Sequence, residues 1–218
     1  MSALHGLKGF IKSARDLAEE AADLEINQLK SPIGKHDQYM AAYGGFLHLI
    51  YRKEGGVTVR KVNVNDAIVK KLESELILVF SGMKRSASET LGVTAKRFES
   101  SKEIFADISV FRKYGSGLRN YLINNHIENF ADGLKTLMAI KKQCFANCTN
   151  EKLDKFMDEG YRLGAVGAKV IGAGGGGFVY FYVPKPNQTK FKKGITEAGG
   201  TVYPFSFVEA GSKIVSLS

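Results

Sequence analysis

Apolar residues recur at three- and four-residue steps from Leu7 through Phe10, Ile11, Ala14, Leu17, Ala18 and Ala21 to Leu24, which predicts an amphipathic helix over 7–29. Pro32 lacks a backbone N–H and pushes Ser31 away from helical geometry, so the helix is expected to stop there and a loop to occupy 33–38. Segments 44–51 and 57–62 read as strands joined by the turn Lys53-Glu54-Gly55-Gly56, and 75–81 as a third strand. Between 87 and 159 the period becomes helical, most clearly at Leu118, Tyr121 and Leu122 and again at Leu134, Leu137, Met138 and Ile140. Strands are expected at 168–171 and 178–183, a helix at 187–198 ended by Gly199-Gly200, and two closing strands near 202–208 and 213–216. This order predicts an α+β fold, with helices packed on one face of a mainly antiparallel sheet. The opening helix and its two strands have little of their own to pack against, so they read as the last part of a domain.

Composition narrows the function classes. The 218 residues are 44% hydrophobic and 24% charged, which is globular rather than disordered. No apolar run approaches the roughly 18 residues that a membrane span requires, and no basic and apolar leader opens the sequence, so a cytoplasmic protein without a membrane partner is expected. The net charge of +9 comes from Lys and Arg spread through the chain in pairs such as Lys84/Arg85, Lys141/Lys142 and Lys192/Lys193. Without interleaved aromatics in a recognisable motif, these pairs do not make a nucleic-acid reader. Cys144 and Cys148 with four scattered histidines do not supply a zinc set, and the two cysteines, four apart on a predicted helix, read as packing residues.

Four places could carry chemistry. In the segment from Ser31 to Tyr39, Asp37 is placed to accept a proton from an attacking hydroxyl, or simply to bond its own turn. Glu25 lies toward the C-terminal end of the first helix, where the helix field disfavours an anion; it suits a magnesium ion shared with phosphate oxygens, or a solvated position beside Lys30. Gly172, Ala173, Gly174, Gly175, Gly176 and Gly177 lie between two apolar strands, which suits either an anion nest of backbone N–H groups or a plain hairpin turn. No Gly-Lys-Ser/Thr follows them, and a strand rather than a helix comes next, so they form neither a Walker loop nor a dinucleotide fingerprint. Lys84 and Arg85 could bind a phosphate, while Ser86 and Glu89 could cap a helix.

Together, Gly34-Lys35-His36-Asp37-Gln38-Tyr39, Ala41-Ala42-Tyr43-Gly44-Gly45-Phe46, Arg85-Ser86-Ala87-Ser88-Glu89, the segment from Gly167 to Phe178, and Gly199-Gly200-Thr201-Val202-Tyr203-Pro204-Phe205 resemble the GHMP small-molecule kinases. The likeness runs over nearly the whole chain and is strongest to the heptose 7-phosphate kinase branch. It implies a ferredoxin-like C-terminal domain over 66–218 and, over 1–65, the last helix and strands of the N-terminal domain, with an active site in the cleft between them. It further implies transfer of a phosphoryl group from ATP, with Mg2+, to a sugar or sugar phosphate. By the resemblance Asp37 is the catalytic aspartate and Glu25 the magnesium ligand, Gly172 to Gly177 line the nucleotide phosphates, and Gly34, Lys35, Asp37 and Arg85 meet the substrate. His36 stands where glutamine is usual and Asn27 where an acid is common. The family's phosphate-cradling stretch, Pro-x-x-x-Gly-Leu-Gly-Ser-Ser, does not occur in these residues. The chain alone is therefore expected to turn over slowly or not at all, and a second copy or a complementing chain is its expected protein partner. The alternative is a non-catalytic descendant that senses a sugar or binds a partner.

Overall fold

The computed structural model describes residues 1–84, 91–94, 96, 104–145 and 147–215, with the side chains of 104–108 excepted. The chain divides into two compact units, Met1–Asn63 together with the residues from Phe207, and Val64–Ser206.

In the first unit the expected helix over 7–29 is two helices. A short α1 (Ser2–Leu7) is followed by a break, and α2 (Ala14–Asp23) starts only where Ser13 can cap it, its Oγ accepting the N–H of Asp16 at 3.1 Å. Phe10 and Ile11, counted in the apolar stripe, lie in the break and are 60% and 95% exposed. The end of α2 widens into a π-turn, Leu24–Gln28, in which the N–H of Leu29 reaches back to the carbonyl of Leu24 at 2.9 Å. Lys30, with φ of 53°, and Pro32 end the helix as expected. The loop expected over 33–38 is shorter, because α3 (His36–Tyr43) begins inside it. Next, β1 (Leu47–Tyr51) and β2 (Val57–Lys61) form the expected hairpin, with Leu47 opposite Lys61 and Tyr51 opposite Val57. The helices and hairpin meet at Ala18, Tyr39 and Val57, with Ala42, Tyr43, Leu49 and Val59 packed around them. Burial and the adjacent Glu19, which accepts from the hydroxyl, hold the Tyr39 phenol above its usual range.

The second unit runs α4 (Asp66–Glu75), β3 (Leu76–Phe80), α5 (Ile104–Ile123), α6 (Ile127–Cys144), α7 (Glu151–Arg162), β4 (Gly167–Val170), β5 (Phe178–Tyr182), α8 (Gln188–Glu197) and β6 (Thr201–Tyr203). Its sheet has the order β4-β5-β3-β6 and every neighbouring pair is antiparallel, with Val79 opposite both Val179 and Val202. A strand, helices, hairpin, helix and strand in that spatial order make the expected ferredoxin-like α+β sandwich. Alternation puts Ile77, Val79, Val179 and Phe181 on the covered face, where they meet Leu153, Phe156 and Met157 of α7 and Phe191 and Ile195 of α8. Among the described residues no helix is long and apolar enough to cross a membrane.

The closing strands are the main departure. Only Thr201–Tyr203 pairs with the sheet, and residues 213–215, expected in a strand, join no ladder. Pro204, which cannot donate to a ladder, follows β6. From Phe207 the chain returns to the first unit instead of remaining with 66–218. The N–H of Gly45 donates to Val208 at 2.8 Å, the N–H of Ser212 donates to Ala41 at 2.9 Å, and the Phe46 and Phe207 rings lie 4.9 Å apart.

Candidate functional site

In the first unit, Asp37 sits in the first turn of α3 rather than in a loop, where the positive end of the helix favours an anion. Its side chain is 88% exposed, and its Oδ1 is 3.0 Å from His36 Nδ1. Asp37 also acts on Tyr51 at the end of β1: burial, and then the Asp37 carboxylate, hold that phenol above its usual range. Tyr51 carried no signal in the sequence, since a strand-end tyrosine beside a turn has no spacing that marks it.

Glu25 lies in the π-turn, half-buried, and its Oε1 accepts from Gln38 Nε2 at 3.0 Å. Gln38 is buried beneath α3, and the oxygen of the same amide has no hydrogen-bond partner among the described residues. A carboxylate and an unpartnered amide oxygen joined through one hydrogen bond form an acceptor pair, which suits a hard cation or a donor. Gln38 was also missed, because sequence spacing cannot show that the π-turn and the first turn of α3 meet. Asn27, by contrast, donates to Asp23 Oδ1 at 2.7 Å within its own helix. Lys35 is committed as well: its Nζ lies 2.6 Å from Glu19 Oε2, which also accepts from Tyr39. The ammonium and the phenol together hold the Glu19 carboxyl below the usual range. Gly34 is exposed, with open space where a side chain would stand. Among the described residues no group of three or more His, Cys, Asp or Glu could hold a metal by itself.

In the second unit, the glycine loop between β4 and β5 is tied to the protein more firmly than a row of free N–H groups would be. The N–H of Gly175 donates to the carbonyl of Cys148 and that of Gly177 to the carbonyl of Met83, both at 2.8 Å. These two N–H groups are therefore spent on the protein and are not open to an anion, whichever of the two readings of the glycines, nest or turn, applies. Two glycines are required by close approach. A Cβ on Gly174 would lie 2.2 Å from the carbonyl oxygen of Cys148, and one on Gly176 would lie 2.7 Å from that of Met83. Ser81 Oγ donates to the carbonyl of Gly177 at 2.8 Å, and Asn150, which caps α7, donates its Nδ2 to that of Gly175 at 2.8 Å. Lys141 Nζ donates to the carbonyl of Gly172 at 2.9 Å. Gly172 is exposed and Ala173 half-exposed, so the start of the loop faces solvent. Cys144 and Cys148 are both buried and free, consistent with packing, and burial pushes the Cys148 thiol up. Cys148 follows α6 rather than lying on it. Arg85, with Ser86 and Glu89, lies outside the described residues.

Comparison with known proteins fits this architecture. Residues 118–201 match the family profile of the GHMP kinases C terminal. The chain is 25% identical over 198 residues to the D-glycero-alpha-D-manno-heptose 7-phosphate kinase of Campylobacter jejuni, covering 91% of this chain and 58% of that protein. It is 25% identical over 190 residues to the mevalonate kinase of Thermococcus onnurineus, covering 82% of this chain and 51% of that one. A D-glycero-D-manno-heptose 1-phosphate kinase from Bacteroides thetaiotaomicron superposes with a TM-score of 0.74 at 23% identity, covering 99% of this chain and 60% of that one. The chain thus spans less than two thirds of the length of each of these relatives. Residues 118–201 thus match the GHMP kinase C-terminal profile, and the fold of the chain is like that of the solved heptose 1-phosphate kinase.

Proposed function

We propose that this chain is part of a small-molecule kinase that transfers the γ-phosphoryl group of ATP, with Mg2+, to a hydroxyl of a sugar or sugar phosphate of the heptose phosphate kind. The observation that carries this reading is an exposed carboxylate, Asp37, in the first turn of a helix, in a chain whose residues 118–201 match the GHMP kinase C-terminal profile. Asp37 takes the proton of the attacking hydroxyl. Glu25 holds Mg2+ through its carboxylate, with the Gln38 amide orienting it. One protein carboxylate is enough where phosphate oxygens and water complete the shell. Held there, Mg2+ would supply charge neutralisation at the phosphates, and Gly172 to Gly177 would line the nucleotide. Gly34, Lys35 and Arg85 are the proposed contacts to the sugar. Lys35 would have to leave or share Glu19 to act in this way.

The test is a chimera in which a segment bearing the Pro-x-x-x-Gly-Leu-Gly-Ser-Ser motif, taken from the Campylobacter relative, is joined ahead of residues 1–218. Sugar-phosphate-dependent ADP release is expected from the chimera. From the 218 residues alone, release is expected to fall far below the roughly 1–100 per second usual for kinases. Asp37→Asn should lower the chimera's turnover about 10²- to 10⁴-fold while nucleotide binding persists. Undiminished turnover in that variant would overturn the role of Asp37.

A second reading, a partner-binding or sugar-sensing descendant without catalysis, is favoured by one observation: Leu4, Leu7, Phe10 and Ile11 are 61%, 85%, 60% and 95% exposed at the start of the first unit. A monomeric chain that binds no hydrophobic dye, together with an active chimera, would remove it.

A further inference from the structure

The stretch from the last turn of α6 to the cap of α7 holds the glycine loop at three points: Lys141 Nζ on the carbonyl of Gly172, the carbonyl of Cys148 on the N–H of Gly175, and Asn150 Nδ2 on the carbonyl of Gly175. Two of these are neutral. The third is an ammonium that is only 7% exposed, and no carboxylate lies within ion-pair distance of it among the described residues. Of its charged surroundings, Lys169 opposes the ammonium and Cys148 favours it. Lys169, on β4, is a second half-buried cation whose own Nζ turns to the carbonyl of Val170 at 3.3 Å. Cys148 faces it across the turn, and the neighbouring Lys142 is paired with Asp154 of α7 at 2.6 Å. The C-terminal field of α6 and the Gly172 carbonyl are what favour the charge. A buried cation without an acid is costly, and an apolar side chain of the same length would fill the space more cheaply. What the lysine supplies and an apolar chain cannot is a charge-assisted hydrogen bond to the first carbonyl of the loop.

We propose that Lys141 is a positioning residue whose buried ammonium fixes the carbonyl of Gly172 and so sets the path of the glycine loop. That the loop so held meets a nucleotide rests on the kinase reading above; the tether itself does not. Burial first, and then the charge of Lys169, bring the Lys141 ammonium down to about 8, against an opposing pull from Cys148. The sign follows. Below pH 8 the tether is charge-assisted; above it the amine is neutral and the bond weaker, so the loop opens more often in mildly alkaline solution.

Hydrogen exchange on the 218-residue chain, corrected for intrinsic rates, reads this at the amides of 172–177, with α8 as the internal reference. In the unsubstituted chain, protection of the loop should fall about three- to tenfold as pH rises from 6.5 to 9.5, while α8 stays level. Lys141→Met should show the lower protection at every pH. Lys169→Met should move the midpoint upward, and Cys148→Ala should leave the step in place. A loop whose protection is flat with pH, or whose step follows Cys148 instead, overturns the tether. Neither arm needs a nucleotide, so a failed kinase assay and a failed tether are separate results.

Discussion

Glu25 is singled out in the sequence for one reason and placed in the structure by another. Its position toward the end of α2 suggested an anion that something must hold, and a half-buried carboxylate gripped by the Gln38 amide is what the structure contains. Gln38 is the less visible member, because a glutamine in the first turn of a helix is ordinary until the π-turn brings Glu25 to it. If this pair holds magnesium in the proposed kinase, Glu25→Gln in the chimera should raise the magnesium concentration for half-maximal rate about tenfold or more. An unaltered magnesium titration would assign Glu25 to the helix alone. Lys35, which the resemblance puts at the substrate, is in the structure bound with Tyr39 to Glu19. No spacing rule could have shown this, since Glu19 and Lys35 are sixteen residues apart, one on α2 and the other just ahead of α3.

At the scale of elements, the strands and helices of the second unit were legible because each carried a full period of apolar residues: 75–81, 178–183 and 187–198 all fall within a residue or two of β3, β5 and α8. The errors came where pattern and punctuation conflicted. Phe10 and Ile11 continue the apolar step of α2, but Ser13 offers the cap and the helix starts after it. His36 and Asp37 follow a proline, yet the chain has already turned back into helix by His36. The glycine loop was legible as a constrained turn, though not as one whose amides are partly spent on Cys148 and Met83. Its tightness is testable. Gly174→Ala would need both a φ near 92° and a methyl group against the Cys148 carbonyl. It should cost about 2–3 kcal/mol in denaturant unfolding of the second unit, as strained or overpacked sites do. A loss under about 0.5 kcal/mol would mean the turn between α6 and α7 yields easily.

For the whole molecule, the sequence divided the chain at 65 and assigned everything after it to one domain. The compact units meet in sequence at Asn63 and Val64, and the residues from Phe207 pack with Met1–Asn63. Nothing in their composition shows this. Tyr203, Phe205 and Phe207 alternate as a strand would, and only the missing ladder partner and the bonds to Ala41 and Gly45 decide otherwise. Truncation after Ser206 should therefore expose α3 and the β1–β2 hairpin to hydrogen exchange and leave the four-stranded sheet protected. Equal loss in both units would mean that they unfold as one.

That return of the chain also has a bearing on how the protein is made. The second unit is continuous in sequence, from Val64 to Ser206, and has all its strands once β6 is synthesised. The first unit begins earlier yet is completed later, because α3 and its hairpin wait for Phe207, Val208 and Ser212. On the ribosome, where folding proceeds as residues emerge, the order of assembly is thus the reverse of the order of translation.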